Sequence, residues 1–371
     1  MINVAVVGLG YWGPNLVRNL ASLGEVNISA LCDMYAARAE TVAARYCPRA
    51  TIVKDHADLL DHKEIDAVIV ATPIQTHYAV ASAFLGAGKH VFVEKPLART
   101  GSECRTLINL AERYRRVLMV DHVFEYSAAV QRIKAYLDQR ELGKLLHVYS
   151  QRLNLGRIQT ETSALWSFGP HDLSILNYWL GHEPLAIAAR GFAYITTGAE
   201  DVVFLSLEYP GGINAHLHLG WLDPRKVRLM TLVGTKKMLV YDDVNEDARI
   251  QLYDKGVVQL DDYLEAPESF PEFLPRLRVG DVLIPAVSSS EPLQAACRHF
   301  VDCVRAGQRP RTDGASGLRV VRVLEAAEES LRQGGRTIAL HPEAEITGSA
   351  KGSDGLDQTL HTADTARGGA S

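Results

Sequence analysis

A lysine and a histidine stand where a side chain can act on a bound molecule. Lys95 follows the apolar run His90–Val93, which is typical of a buried strand, so its ammonium group falls near the end of that strand. His171 follows Gly-Pro and precedes an apolar stretch that predicts a helix over Leu173–Leu180. A cation stabilises negative charge that develops on an oxygen, and an imidazole accepts a proton near neutral pH. These residue types predict the removal of a proton from a hydroxyl group.

The first thirteen residues predict a site for a dinucleotide. A short β-branched run, Ile2–Val7, is followed at once by a G-x-G-x-x-G sequence and then by a helix pattern. The first glycine permits the tight turn, the second lets the backbone approach a pyrophosphate, and the third allows the helix to pack closely on the strand. The pyrophosphate would lie against the free amide groups at the start of that helix. The candidate cofactor contacts in this turn are Gly8, Gly10, Tyr11, Trp12 and Gly13.

The sugar of the adenosine half has its own candidate partner. A second predicted strand, Asn27–Cys32, ends in Asp33, which lies twenty residues beyond Gly13. An acidic side chain there accepts hydrogen bonds from the ribose hydroxyls, and its charge opposes a 2′-phosphate. The sequence therefore favours NAD over NADP. Arg38 can reach the same place, so NADP is not excluded.

Alternating strands and helices predict the architecture that positions these groups. A buried strand over residues 66–71 leads into Thr72 and Pro73, a helix follows over residues 75–86, and Glu94 and Lys95 end the next strand. Such alternation predicts an α/β fold with a doubly wound parallel sheet, a Rossmann fold. Ligands of such sheets bind beyond the carboxyl ends of the strands, where Thr72 and Glu94 fall.

The second half of the chain has a different pattern. Leu145–Asn154 reads as a strand that carries Arg152 and Asn154 on one face, and residues 185–260 alternate as strands do. This predicts a C-terminal α+β domain with an open, mostly antiparallel sheet. His216 and His218 share one strand face, but neither a cysteine nor a carboxylate supports them nearby in the sequence, so no metal site is predicted.

These motifs resemble those of the glucose–fructose oxidoreductase and inositol dehydrogenase family, the Gfo/Idh/MocA proteins. The resemblance covers roughly residues 1–340 and rests on the glycine turn, on Ala71-Thr72-Pro73 with His77, on Glu94-Lys95-Pro96, and on Gly169-Pro170-His171-Asp172. It implies that Lys95 contacts the reacting oxygen of a sugar or cyclitol and that His171 handles the proton. The resemblance and the strand positions together predict further cofactor contacts at Thr72, Pro73, His77, Glu94 and Lys95. The predicted substrate contacts are Lys95, Arg152, Asn154, His171, Asp172 and Arg225.

One position departs from the family pattern. Many relatives have an aspartate four residues before the histidine, and this chain has Ser167 there. A carboxylate that would orient the imidazole is therefore missing, and either Asp172 substitutes for it or His171 works without one.

The segments around Arg152 and His171 are similar to the subgroup that oxidises C3 of nucleotide-activated hexoses such as UDP-N-acetylglucosamine or UDP-glucose. That resemblance implies a 3-keto sugar product, with amino-sugar biosynthesis as a use for it. The turn that carries Arg225 and Lys226 is either solvated surface or a contact for the phosphates of such a substrate. The alternatives are an NADP(H)-dependent 3-ketoreductase acting on a nucleotide-activated hexose and a dehydrogenase of inositol or free sugars. A regulator that has lost its activity would be expected to lack Lys95.

Length and composition add the remaining expectations. The 371 residues have room for two domains, expected over 1–122 and 123–342, with a disordered tail over 343–371. A formal charge of −5 gives no basic stripe for nucleic acid, and no apolar run is long enough to cross a membrane. Five scattered cysteines read as reduced thiols of a cytoplasmic protein. The family resemblance implies a homodimer or homotetramer.

Overall fold

The computed structural model describes residues 1–156, 162–195, 197–258 and 276–341. The strands are β1 (Ile2–Val7), β2 (Val26–Cys32), β3 (Thr51–Val53), β4 (Ala67–Val70), β5 (His90–Val93), β6 (Leu118–Val120), β7 (Leu145–Leu153), β8 (Ala186–Phe192), β9 (Val202–Tyr209), β10 (Ile213–Gly220), β11 (Val227–Gly234), β12 (Met238–Asp242), β13 (Ile250–Val258), β14 (Arg276–Leu283) and β15 (Ile338–Ala339). The helices are α1 (Gly13–Ala21), α2 (Ala36–Tyr46), α3 (Ile74–Gly86), α4 (Gly101–Arg113), α5 (Ala128–Asp138), α6 (Ala164–Leu180), α7 (Pro292–Ala306) and α8 (Gly314–Arg332).

The first sheet is parallel and follows the order β3-β2-β1-β4-β5-β6 within the described residues. Its central strands β1 and β4 are fully or largely buried because helices cover both faces. The core on one face joins α1 and α2 to α7, whose Phe300 lies 5.3 Å from Phe92 of β5 between ring centroids. The core on the other face joins α3, α4 and α8. The order reverses direction beside β1, which is where such sheets bind their ligands.

The second sheet follows the order β14-β13-β12-β11-β7-β10-β9-β8-β15. The β7–β10 pair is parallel and its other described pairs are antiparallel. The side chains of α6 pack on one face of this sheet, where Trp179 is 3% exposed. The predicted α/β class, with a parallel Rossmann sheet and a mostly antiparallel second sheet, is confirmed.

The start of α6 differs from the prediction. The helix begins at Ala164 rather than near Leu173, and Pro170 lies inside it. Proline removes the amide that would bond to the carbonyl four residues earlier and crowds that carbonyl, and the packing of buried Leu165 and Trp166 offsets this local cost. His171 therefore lies in the middle of a helix rather than at its start.

The domain bounds at 122 and 342 remain predicted, and the expected tail over 343–371 lies outside the described residues. Across the described ranges, no helix combines the length and the apolar composition that crossing a bilayer requires.

Candidate active site

The glycine turn at the end of β1 has the shape that a pyrophosphate needs. Gly8 has φ +94°, and a Cβ atom on Gly13 would lie 2.1 Å from the Gly8 carbonyl oxygen, so neither position accepts a side chain. A Cβ atom on Gly10 would meet nothing within 4 Å. No side chain caps the start of α1, and its first turn contains no acidic residue. Open space in front of uncapped amide groups fits a bound phosphate pair.

Asp33, the residue predicted to contact the adenosine ribose, is hydrogen-bonded to this turn. Its Oδ2 accepts a hydrogen bond from the amide of Leu9 at 2.7 Å, and its Oδ1 accepts one from the amide of Tyr35 at 2.9 Å. Arg38 Nη1 lies 3.9 Å from Oδ1, and the guanidinium stacks over the Tyr35 ring at 4.5 Å. The residues present therefore fit a dinucleotide, with Asp33 and Arg38 both beside the place for its ribose.

Tyr11 and Trp12 stand at the edge of the turn. Tyr11 is 80% exposed and Trp12 is 37% exposed, with their rings stacked at a centroid distance of 6.3 Å. The Trp12 indole N–H points to Asp121 Oδ2 at 3.4 Å. Trp12 therefore connects the glycine turn of β1 to the end of β6.

The loop after β4 is tied to the loop after β5 by His77. Its Nε2 lies 2.8 Å from the Thr72 carbonyl oxygen and its Nδ1 lies 2.8 Å from the Pro96 carbonyl oxygen. The ring is 1% exposed, and burial lowers its pKa although both carbonyl contacts oppose that shift. His77 thus connects the two loops through backbone carbonyl groups, and the cofactor contact predicted for it stays a prediction. The sequence-predicted residues Thr72 and Pro73 lie just beyond the end of β4, at the same edge as Glu94.

Lys95 connects the end of β5 to helix α6. Its Nζ donates a hydrogen bond to the Ser167 carbonyl oxygen at 2.9 Å, so the ammonium lies one helical turn before His171 on α6. Burial lowers the pKa of Lys95, the nearby Glu94 carboxyl raises it, and the Arg152 guanidinium lowers it further. A lysine in such a place holds a positive charge with little water around it, which strengthens its action on a nearby oxygen.

His171 presents a neutral imidazole. Burial lowers its pKa well below the ordinary value, and the positive charges of Lys95, Arg152 and Arg228 add to the shift. Its Nδ1 is buried without a hydrogen-bond partner among the described residues. The Phe124 ring holds the imidazole edge to face, at a centroid distance of 5.1 Å. A neutral imidazole can accept a proton at pH 7.

Asp172 makes no direct hydrogen bond to His171, although the sequence left that role open for it. Its Oδ1 lies 2.5 Å from Arg152 Nη2 and also accepts from Arg152 Nε at 2.7 Å. Its Oδ2 accepts from Ser150 Oγ at 2.9 Å. Both carboxylate oxygens are therefore engaged in a buried ion pair on the side of the second sheet. Where relatives have an aspartate, Ser167 offers its carbonyl oxygen to Lys95.

Three residues of this region escaped the sequence prediction. Arg228 of β11 stacks on Phe124 at 5.6 Å and pairs with Asp243 at 3.0 Å. Asp121 and His122 directly follow β6. The signal for these two was available, because β6 ends at the same edge of the parallel sheet as Lys95. Arg228 lies in a separate strand, and nothing in its local sequence pointed to the site.

Two predicted substrate contacts lie at the rim. The backbone amide of Asn154 donates a hydrogen bond to the Gly220 carbonyl oxygen at 3.1 Å. This bond fixes the end of β7 against the end of β10. Arg225 is exposed, in the turn between β10 and β11. Val227, which follows this turn, pairs with Leu153, so Arg225 lies at the same end of the second sheet as Arg152.

The predicted absence of a metal site concerned two histidines of β10. His216 Nδ1 lies 3.1 Å from Ser206 Oγ, and the His218 ring stacks on Phe204 at 4.4 Å. Within the described ranges, no group of three or more histidine, cysteine, aspartate or glutamate side chains is arranged to hold a metal ion.

Comparison with known proteins places the chain among oxidoreductases. Among curated proteins, the inositol 2-dehydrogenase of Salmonella typhimurium is 27% identical over 220 residues, which is 57% of this chain and 65% of that protein. The chain thus spans about two thirds or less of the length of the inositol dehydrogenases that it matches. The UDP-N-acetylglucosamine 3-dehydrogenase of Acidithiobacillus ferrooxidans is 26% identical over 321 residues, which is 86% of this chain and 94% of that protein.

Solved structures share the whole fold. A chain from Magnetospirillum magnetotacticum is 28% identical with a TM-score of 0.73, covering 88% of this chain and 99% of that one. Residues 2–122 match the family described as "Oxidoreductase family, NAD-binding Rossmann fold", and residues 130–240 match the "GFO/IDH/MocA C-terminal domain". The two matches together cover more than half of the chain, which therefore belongs to the Gfo/Idh/MocA oxidoreductase family.

Proposed function

We propose that this protein is an NAD-dependent dehydrogenase that oxidises a secondary hydroxyl group of a sugar or cyclitol to a ketone. The observation that carries the proposal is the contact between Lys95 Nζ and the Ser167 carbonyl oxygen, 2.9 Å, which sets the ammonium one helical turn from the neutral His171. A hydroxyl group between them would meet one cation and one proton acceptor. The curated relatives named above are dehydrogenases of an inositol and of a sugar nucleotide, which supports the same class.

Each residue then has one task. Gly8, Gly10 and Gly13 provide the space and the amide groups for the pyrophosphate, and Asp33 receives the adenosine ribose. Lys95 donates a hydrogen bond to the oxygen on the reacting carbon and stabilises the charge that develops there. His171 accepts the proton of that hydroxyl group. When bound, NAD supplies the acceptor for the hydride that leaves the same carbon, so alcohol and NAD give ketone, NADH and one proton.

The finer proposal is that the substrate is a nucleotide-activated hexose that is oxidised at C3. The match with a UDP-N-acetylglucosamine 3-dehydrogenase extends over nearly the whole of that protein, which supports this choice over inositol. The exposed turn with Arg225 and Lys226 lies at the end of the second sheet next to Arg152. Two cations there would meet the phosphates of such a substrate, while the hexose occupies the cleft at Lys95.

The first experiment follows NADH at 340 nm with UDP-N-acetylglucosamine, UDP-glucose, dTDP-glucose, glucose 6-phosphate and myo-inositol, each with NAD and with NADP. A ketone trap is included because the equilibrium for ketone formation is unfavourable. We expect turnover with a nucleotide-sugar and NAD. Turnover only with myo-inositol or glucose 6-phosphate contradicts the finer proposal. Turnover only with NADP would indicate that Arg38, and not Asp33, determines the recognition of the ribose. That result would favour the ketoreductase alternative.

A matched pair of variants tests the nucleotide contact. Arg225→Ala should raise KM for the nucleotide-sugar about tenfold with little effect on kcat, as for the loss of a phosphate contact that is equal in substrate and transition state. Arg49→Ala removes an exposed cation from the first half of the chain and should leave both constants unchanged. If Arg225→Ala and Arg49→Ala change KM and kcat equally, Arg225 is a solvated surface residue and not a phosphate contact.

We also propose that the protein assembles as a homodimer or homotetramer through the second sheet. Large apolar side chains are exposed on β14, where Leu277 and Val279 are each 77% exposed, and on β9, where Phe204 is 44% exposed. Exposed apolar surface of this kind favours association. Light scattering after size-exclusion chromatography tests this, and a monomer of 40.7 kDa contradicts it.

A further inference from the structure

Two carboxyl groups lie side by side at the edge of the first sheet. Glu94 follows β5 and Asp121 follows β6, and the strands pair in register with Val93 opposite Val120. Burial raises the pKa of Glu94 and the charge of Asp121 raises it further, as expected for two carboxyl groups at the ends of neighbouring strands. Glu94 Oε1 and Asp121 Oδ1 are buried, and no other described group donates a hydrogen bond to them. Two carboxyl oxygens share a hydrogen bond only when one of them carries a proton.

The outer oxygens of the same pair are held by neutral donors. Asp121 Oδ2 accepts from the Trp12 indole at 3.4 Å, and Glu94 Oε2 accepts from the amide of Lys95 at 3.2 Å. Burial raises the pKa of both carboxyl groups, that of Asp121 to about 6 and that of Glu94 well above its usual range. The pair with one proton carries one negative charge, which balances the ammonium of Lys95.

One further titratable group, the thiol of Cys297 in helix α7, faces the carboxyl pair. Cys297 of α7 is buried, and burial together with the charges of Asp121 and Glu94 raises the pKa of its thiol, so it stays neutral. Lys95 is therefore the cation that compensates the pair among the described residues. A second negative charge on the pair would lack a partner in the free protein.

A bound dinucleotide changes this balance. The glycine turn and Asp33 occupy the β1–β2 side of the sheet, so the other half of a dinucleotide extends over the ends of β4, β5 and β6. Its nicotinamide ring is positively charged when oxidised and neutral when reduced. A positive charge beside two carboxyl groups favours the ionisation of both.

We propose that Glu94 and Asp121 share one proton in the free protein and release it to solvent when the oxidised dinucleotide binds. This rests on the cofactor part of the proposed function and adds a second task for this edge of the sheet. When the ring is reduced it loses its charge, and the pair takes up one proton. His171 later releases the proton that it took from the substrate hydroxyl group, and the uptake of one proton by the pair offsets that release. Over the whole cycle, one alcohol and one NAD still give one ketone, one NADH and one proton.

The test counts protons and needs no sugar substrate. Binding of NAD and of NADH to the full chain is measured by titration calorimetry at pH 7 in phosphate and in Tris, whose ionisation enthalpies differ. We expect release of up to about one proton per site with NAD and almost none with NADH. Asp121→Asn and Glu94→Gln each leave a single carboxyl group, and each should abolish the release. Asp66→Asn changes an exposed carboxyl group just before β4, at the opposite edge of the same sheet, and should leave it intact.

The outcomes separate the inference from the function on which it rests. NAD binding without proton release by the unmodified protein overturns the inference and leaves the dehydrogenase proposal standing. Unchanged release in both folded variants also overturns it. A chain that binds neither NAD nor NADH overturns the proposed function and the inference together. Far-ultraviolet circular dichroism of the variants identifies any loss of folding, and the wild-type comparison of NAD with NADH remains decisive if both variants unfold.

Discussion

Arg152 and Asp172 form a buried ion pair directly behind His171, with Arg152 Nη2 2.5 Å from Asp172 Oδ1 and side-chain exposures of 7% and 1%. The pair links β7 to α6, and the same guanidinium stacks over Phe124 at 4.7 Å. Because Phe124 also contacts the imidazole of His171, the ion pair sets the position of the ring through an aromatic side chain. Asp172 thus contributes to the site as a support and the substrate contact predicted for it stays a prediction.

Asp172→Asn should therefore destabilise the protein strongly. The substitution leaves the Arg152 charge buried without its partner, which typically costs about 3–5 kcal/mol in the free energy of unfolding. Urea denaturation measures the effect, and Asp172→Asn combined with Arg152→Met should recover part of the loss. Asp223→Asn, in the turn before β11, is the surface control. A change below about 1 kcal/mol for Asp172→Asn would contradict the account of this pair.

Lys95→Met should lower kcat by about 100- to 1,000-fold, as expected for the loss of one group that stabilises a developing oxyanion. The affinity for NAD should change little, because the glycine turn and Asp33 are untouched. Stopped-flow or steady-state assays with the substrate identified above measure kcat, and fluorescence titration measures NADH binding. Lys63→Met, at an exposed position, is the control. Full activity of Lys95→Met would remove the proposed mechanism.

The pH dependence of kcat/KM should show that His171 stays neutral through the physiological range. Burial and the nearby cations lower its pKa well below the usual 6.5, so its lone pair stays available as the pH falls through that value. We expect no inflection from His171 between pH 6 and pH 8, and a loss of activity at more acidic pH. His171→Gln should lower kcat about 100-fold or more. An inflection near pH 6.5 that disappears in this variant would contradict the lowered pKa.

His122 should make the fold sensitive to acid. It is 1% exposed and neither ring nitrogen has a described partner, and burial with the charges of Arg319 and Lys95 lowers its pKa to about 3. Below about pH 6.5, His122 therefore binds a proton in the unfolded chain but not in the native protein. The free energy of unfolding falls as the pH decreases for this reason. At pH 5 the loss is about 2 kcal/mol. His122→Asn should reduce the difference between pH 7 and pH 5 in urea denaturation, while exposed His182→Asn should not.

Two glycines of the same turn should respond oppositely to alanine. A Cβ atom on Gly13 would lie 2.1 Å from the Gly8 carbonyl oxygen. Because this oxygen belongs to the backbone, it cannot move away as a flexible side chain would. Gly13→Ala should therefore lower the free energy of unfolding by more than about 3 kcal/mol. A Cβ atom on Gly10 meets open space, so Gly10→Ala should fold normally. It should nevertheless weaken NAD binding about tenfold, since the methyl group enters the space that fits the pyrophosphate. Thermal melts and NAD titration of both variants check this, and normal NAD affinity in Gly10→Ala contradicts the placement.

The parts of the fold that follow a local rule were predictable. Short β-branched runs predicted β1, β4 and β5, since strands buried on both faces must be apolar throughout. Thr100-Gly101-Ser102-Glu103 has the sequence form of a capping box, and the structure contains both of its hydrogen bonds at the start of α4. The start of α6 was not predictable in this way, because the cost of Pro170 is local while the packing that outweighs it comes from distant strands.

The candidate site divides along the same line. Lys95 and His171 could be found because each belongs to a short motif at an element boundary. The partner of Asp172 in α6 lies twenty residues earlier in strand β7, and the neighbour of Glu94 lies at the end of the next strand in the first sheet. Such contacts depend on strand order and register, which no local pattern encodes. The position of Asp121 at the end of β6 could be read from the sequence, but its pairing with Glu94 could not.

The packing of α7 on the first sheet has a consequence for synthesis. Leu293, Phe300 and Val301 complete the core that begins with Ile2 and Val4. Glu291 and Asn19 fasten the start of this helix to α1 with a hydrogen bond of 3.0 Å. On the ribosome, the nucleotide-binding half (residues 2–122) emerges first with part of one apolar face uncovered, because α7, which completes that face, begins only at Pro292, 170 residues later. The first half must therefore wait for most of the second to be made before it can finish folding, and chaperones that hold nascent chains have that interval in which to act.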